Sequence, residues 1–349
     1  MLGRPNRPRD LQSLAELRYH MRSVSRPGGQ IQVTWVSRRE LIRGTAAAAA
    51  AMWLRLGRTA ADQTTLEKRM PAGLKLSCSS LAFSDMEWDA ALAEIKKLGF
   101  RYADLAMFEG WTHRPFPSML TDPDGHAKKI VAACGKLEIE PIAIHAEFVL
   151  GDRQTFPGLT VPDAAARKTI LIQFERVVSC ARAAEIPLIN VQAGKFIDGT
   201  PRETCLKNAI DLLTQMHAMA ARRGLTLSFE NHSGTIAELP EDALRILTDV
   251  PGLRLDFDPS HIVRNSISPE ATVSLMKHVA HVGIRNAKPG DYNLPIKDGK
   301  LYFDIKPFLA AFQEKAVKAF VSIEYYEPSM RDNIPKLKQI LEAEGIAAS

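Results

Sequence analysis

The chain has 349 residues and a net charge of +5, with 46% hydrophobic and 24% charged residues, a globular balance that excludes disorder, a collagen-like repeat and a disulfide-dense miniprotein. Its four cysteines, Cys78, Cys134, Cys180 and Cys205, form no Cys-x-x-Cys pair, which argues against a cysteine zinc site or redox motif. The basic charge is confined to residues 1–61, with 11 Arg, no Lys and 3 acidic residues, whereas the other 288 carry 34 basic and 37 acidic groups; no nucleic-acid partner is expected.

Residues 1–32 are rich in Arg and Pro without apolar periodicity. They are expected to carry no fold, with the true start at Met21, or at Val33 if a valine codon initiates. Ser37-Arg38-Arg39-Glu40-Leu41-Ile42-Arg43 follows the twin-arginine export pattern S-R-R-x-F-L-K. An apolar run, Ala46 to Leu54, comes next, and Thr59-Ala60-Ala61 supplies small residues for cleavage before Asp62. Arg55 interrupts that pattern, so recognition by the export machinery is better supported than cleavage. The run is far shorter than the ~20 apolar residues of a membrane span, and no stable span is expected. The implied organisation is an unstructured leader at 1–61 with a twin-arginine-type signal, a linker at 62–73, and one domain at 74–349. The implied location is periplasmic or exported.

From Leu74 onward, short apolar runs alternate with amphipathic stretches of helical period. The predicted strands are Leu74–Ala82, Tyr102–Phe108, Pro141–Phe148, Leu188–Gln192, Leu225–Glu230, Leu253–Asp258, His281–Asn286 and Ala319–Tyr325. Helices are predicted over Asp85–Leu98, stopped by Gly99, and over Arg202–Arg223, stopped by Gly224. Pro240-Glu241-Asp242 opens another, with proline and acids in the first turn. Eight strand–helix pairs predict a single (β/α)8 TIM barrel. A doubly wound sheet would need a glycine-rich first turn, and Ser79-Ser80-Leu81-Ala82-Phe83 has no glycine.

In such a barrel the chemistry sits at the carboxyl ends of the strands. Those ends supply His145 and Glu147, Gln192, Glu230-Asn231-His232, Asp258 and His261, Arg285-Asn286, and Glu324. Strand interiors otherwise read as apolar, so acids there are costly unless they bind something. Three carboxylates converging on one mouth repel one another, and a divalent cation is one way to neutralise them. Each residue taken alone has a plainer reading: His145 as a hydrogen-bonded structural histidine, Glu324 as a solvated strand end, Asp258-Pro259 as a turn.

At these residues the chain resembles the sugar phosphate isomerase/epimerase superfamily, the xylose isomerase-like barrels, over about residues 74–345. The resemblance rests on Leu227-Ser228-Phe229-Glu230-Asn231-His232, on Leu255-Asp256-Phe257-Asp258-Pro259-Ser260-His261, and on Val321-Ser322-Ile323-Glu324-Tyr325. It implies that Glu230, Asp258 and Glu324 are metal ligands and that His261 contacts substrate. The family writes strand 7 as H-V-H-[LV]-[KR]-D, whose second His is the fourth ligand. Here the segment is His281-Val282-Gly283-Ile284-Arg285-Asn286, so Gly283 stands at the ligand position. His281 points the same way but lies about 6.6 Å deeper along the strand. Three oxygen ligands favour Mg or Mn over Co or Zn. The alternatives are a water as fourth ligand, rescue by His145 or His232, or a metal weakly held or absent.

The resemblance implies isomerase or epimerase chemistry: metal-assisted proton transfer beside a carbonyl, with Glu230 and Glu324 as acid and base. His261, His145 and Arg285 would orient substrate oxygens, and Trp111 would offer a sugar an apolar face. The expected partners are a small carbohydrate and the twin-arginine export machinery. A 3-keto-glycoside lyase or hydratase is the alternative enzyme, and a degenerate sugar-binding barrel without turnover the alternative class. Endonuclease IV-like barrels are disfavoured, because they need a three-metal cluster and the domain is slightly acidic.

Overall fold

The computed structural model describes residues 19–24, 32–37, 72–108, 112–113, 117–152 and 154–347. The chain divides into two compact units, Met1–Ala61 and Asp62–Ser349. In the first, Tyr19–Val24 pairs antiparallel with Gln32–Ser37, where the sequence predicts no regular structure. Val33, Thr34, Trp35 and Val36 are residue types that favour extended backbone, and the sequence between the strands contains Pro27-Gly28-Gly29. The twin-arginine pair and the apolar run from Ala46 lie outside the described residues, as does Trp111. No helix among the described residues is long and apolar enough to cross a membrane.

The second unit is a closed barrel of eight parallel strands: β1 (Leu74–Ser79), β2 (Tyr102–Phe108), β3 (Glu140–Glu147), β4 (Leu188–Gln192), β5 (Thr226–Glu230), β6 (Arg254–Asp256), β7 (Val279–Ile284) and β8 (Ala319–Ile323). The helices are α1 (Trp88–Lys97), α2 (Pro117–Thr121), α3 (Pro123–Leu137), α4 (Ala164–Ala183), α5 (Arg202–Ala221), α6 (Pro240–Asp249), α7 (Pro259–Arg264), α8 (Lys306–Glu314) and α9 (Ile334–Ala343). Strands β2 and β4 have the predicted bounds. Strand β1 stops at Ser79, whose hydroxyl accepts from the Leu81 amide at 3.3 Å and turns the chain into the helical turn Ser80–Phe83. Strand β6 has three residues instead of six, because Asp258 leaves the ladder to pair with the Asn231 side chain and Pro259 opens α7. Strand β7 begins at Val279, two residues before the predicted start.

Alternation along the strands sorts the side chains. Leu76, Leu105, Ile144, Ile189, Leu227, Leu255, Val282 and Val321 belong to the main apolar core shared with the helices. Tyr102, Ala143, Leu188 and Phe320 form a second, small apolar cluster. Between that cluster and the mouth, the buried strand residues Ser77, Asp104, Asn190, Ser228, Asp256, His281 and Ser322 are polar. This corrects the expectation that strand interiors are apolar. Barrels of this kind usually fill that space with branched aliphatic residues, so seven buried polar side chains mark it as specialised.

Candidate functional site

Each side chain at the mouth is placed by a strand end. Glu230 ends β5, Arg285 follows β7, and Glu324 follows β8. Asp258 is the N-cap of α7: its Oδ1 accepts from the Ser260 amide at 2.7 Å and the Ser260 hydroxyl at 2.5 Å. Asn231 fixes it further, accepting from the Asp258 amide at 2.8 Å and donating to its carbonyl at 3.0 Å. Thus the cap that starts a helix also fixes a carboxylate of the site.

The structure brings Glu230, Asp258 and Glu324 together, with one oxygen of each within 4.8 Å of the others. The group among them is Arg285. Its Nη2 lies 2.5 Å from Asp258 Oδ2, 3.3 Å from Glu324 Oε2 and 3.5 Å from Glu230 Oε1, and its Nε donates to Asp258 at 3.2 Å. Arg285 is 2% exposed. Burial works against its charge, but the carboxylates of Asp258, Glu324 and Glu230 raise its pKa. Nη1 makes no hydrogen bond to the described residues.

A Cβ at position 283 would come 2.6 Å from Glu324 Oε2 and 3.6 Å from Asp258 Oδ2. The Glu324 carboxylate therefore stands against the backbone from which an imidazole would project. Two observations then bear on the metal expected at Glu230, Asp258 and Glu324: the guanidinium lies among the carboxylates, and position 283 offers no ligand. In this arrangement the residues present do not fit a divalent ion at that position, and Arg285 supplies the neutralising charge.

The acids at the mouth differ in state. Burial pushes Glu324 well above the ordinary carboxylate range, and burial raises Glu230, in both cases against the pull of Arg285. Asp258 is held below its ordinary value: burial alone would raise it, but the Arg285 guanidinium and the Ser260 hydrogen bond overcome that. His261 is fully buried, and burial lowers its pKa to about 3, so it is neutral at pH 7. Its Nε2 lies 3.2 Å from Glu230 Oε1, and its Nδ1 lies 3.1 Å from the Ser233 hydroxyl. His232 packs on it with ring centroids 4.0 Å apart.

His145 lies 3.5 Å from Glu324 Oε1 through Nδ1, while its Nε2 faces Asp104 and Asp256 at 3.4 and 3.7 Å. Tyr292 was missed by sequence reasoning. A short ribbon, Ala287–Lys288 with Asp291–Tyr292, returns its ring to 4.8 Å from His261 and 5.5 Å from the Arg285 guanidinium. Asp104, Asp256 and Asn190 were missed as well. Their signal was a single polar residue set between apolar neighbours, as in Ala103-Asp104-Leu105, Leu255-Asp256-Phe257 and Ile189-Asn190-Val191. Of the mouth residues singled out from sequence, Glu230, Asp258, His261, Arg285 and Glu324 converge, with His145 beside Glu324.

A family model described as a xylose isomerase-like TIM barrel matches residues 92–344. No curated protein matches the chain. Among solved structures, a D-tagatose 3-epimerase-like protein aligns with a TM-score of 0.62 at 21% identity, covering 78% of this chain and 100% of its own. The D-allulose 3-epimerase of Methylomonas sp. in complex with D-allulose gives 0.61 at 13% identity, covering 78% and 98%. The IolI protein with a bound zinc atom gives 0.59 at 18% identity, covering 77% and 95%. At these identities the likeness is one of fold.

Proposed function

The chain belongs to the family of xylose isomerase-like TIM barrels, and on that premise we propose that its mouth moves a proton beside a carbonyl of a sugar or related polyol, as isomerases and epimerases do. The observation that carries this is the pair of glutamates from β5 and β8 flanking one buried guanidinium at 3.5 and 3.3 Å. Glu324, whose pKa burial pushes well up, acts as the acid. Glu230, also raised but facing His261 and Arg285, acts as its counterpart base. The Nη1 edge of Arg285 donates to the substrate oxygen on which charge develops, a fixed cation in a dry site. Neutral His261 accepts or donates a hydrogen bond without adding charge. The D-allulose-bound and D-tagatose-type epimerases of the same fold support a carbohydrate substrate. The twin-arginine pattern supports an exported enzyme, for which a free sugar or glycoside is more accessible than a sugar phosphate.

The test is exchange of solvent deuterium into a panel of free ketohexoses and 3-keto-glycosides. Label is expected at the carbon beside the carbonyl, and Glu324→Gln is expected to cut its rate at least ~100-fold with an unchanged circular dichroism spectrum. Exchange in the 3-keto-glycosides alone, with loss of the aglycone, would replace isomerisation by the lyase reading. Binding of these sugars with no exchange in any would leave a sugar-binding barrel and overturn the enzyme.

A further inference from the structure

Below the mouth, four buried side chains from four strands face one another. Asp104 comes from β2, His145 from β3, Asp256 from β6 and His281 from β7, and all are at most 4% exposed. Three of their polar atoms have no hydrogen-bond partner: Asp104 Oδ2, Asp256 Oδ2 and His281 Nε2. An unsatisfied buried polar atom is costly, the more so when charged, so three in one place call for an occupant. The contact between His281 Nε2 and Asp104 Oδ1 is 3.9 Å, too long for a hydrogen bond.

The spacing is that of ligands around an ion. Bonds of about 2.0–2.2 Å from zinc to nitrogen and oxygen put tetrahedral ligand atoms about 3.3 Å apart. His145 Nε2 is 3.4 Å from Asp104 Oδ2 and 3.7 Å from Asp256 Oδ2. One ligand atom each from Asp104, His145 and His281 lies within 4.8 Å of the others. The outer contacts are those of a metal site too, where a ligating histidine donates its second ring N–H to a carboxylate. His281 Nδ1 donates to Asp256 Oδ1 at 2.7 Å, which turns the lone pair of Nε2 toward Asp104, and His145 Nδ1 faces Glu324 Oε1 at 3.5 Å. The Asn190 amide, whose Nδ2 lies 2.7 Å from His145 Nε2, must turn over to free that nitrogen. Its oxygen then faces the site, and its nitrogen donates to the Ser228 hydroxyl that now donates to it.

We propose that Asp104, His145 and His281 form a divalent-metal site of the zinc type inside the barrel, one layer below the mouth, with Asp256 holding His281 in register. The site is distinct from the carboxylate set at the mouth, whose charge is met by Arg285. Two imidazoles and one carboxylate suit Zn(II) or Co(II) better than the all-oxygen mouth would. Through His145, the ion would be one side chain away from Glu324.

The experiment loads the full chain with Zn(II) or Co(II), removes excess ion by desalting, and measures bound metal by elemental analysis. Wild type is expected to hold about one equivalent, and the Co(II) form to show the visible absorption of a low-coordinate nitrogen–oxygen site. Asp104→Asn and His281→Gln are expected to weaken binding at least ~100-fold and Asp256→Asn by about 10–100-fold, whereas Asp258→Asn leaves it unchanged. Should the His281 and Asp104 variants fail to fold, the Co(II) spectrum of wild type separates a site with imidazole ligands from the all-oxygen set at the mouth. Metal lost in Asp258→Asn but kept in Asp104→Asn would put the ion at the mouth and overturn the proposal. Wild type that takes up no ion would also overturn it, leaving His281 held by the two aspartates alone. Neither outcome depends on turnover, so failure here is separate from failure of the proton-transfer reading.

Discussion

Arg285 faces three buried carboxylates, and the balance at that point decides how the site behaves when it is removed. Taking away one partner of a buried ion group leaves the others uncompensated, which costs about 3–5 kcal/mol. Arg285→Met should lower unfolding free energy by that amount in urea titrations, with an unchanged m value. The variant also leaves Glu230, Asp258 and Glu324 as an open, all-oxygen set. Mg(II) or Mn(II), which prefer such ligands, should restore part of the lost stability in the variant and none in wild type. A variant as stable as wild type would show that Arg285 does not neutralise the mouth. The sequence made the acids legible because a carboxylate ending an apolar strand has few reasons to be there. It did not make the role of Arg285 legible: its position just after β7 was read as a substrate contact, and only the distances show a guanidinium among the carboxylates.

At the scale of the elements, hydrophobic runs and glycine stops were enough to count the strands, and β2 and β4 were legible to the residue. Strand β6 was not, because what shortens it is a side chain from the neighbouring strand end. Asn231 offers the Asp258 backbone both an acceptor and a donor, at 2.8 and 3.0 Å, and so ends the ladder between β5 and β6 early. Local pattern carries no trace of a partner 27 residues away. The polar interior was missed for a related reason: one aspartate or serine between aliphatic neighbours reads as an exception on its own strand, and becomes a pattern only when the barrel places strands side by side. The clamp has a consequence that can be measured. Asn231→Ala leaves a buried amide and a buried carbonyl unpaired, at about 1–3 kcal/mol each, and lets Asp258 drift from Arg285. Thermal unfolding should shift downward, and deuterium exchange into substrate should slow; an unchanged melting temperature would mean that the β5–β6 ends are held by the strands alone.

For the whole molecule, closure of the sheet decides whether the barrel has an open edge. An open sheet would present an edge that a preceding segment could complete. Here β1 is paired on both sides, with β8 through Leu74 to Cys78 and with β2 through Cys78 and Ser79. The chain's end adds to it as well: the Leu76 amide donates to the Ala347 carbonyl at 3.1 Å. The barrel therefore supplies neighbours for its first strand on both sides. Residues 1–61 carry 11 Arg against 3 acids, while the remainder is slightly acidic. A chain beginning at Asp62 should unfold in urea at the same midpoint and slope as the full chain, while its pI moves to the acid side. A midpoint lowered by several kcal/mol of stability would mean that the leader packs on the barrel after all. Exposed apolar surface uncovered by the truncation, read from dye binding, would locate that contact.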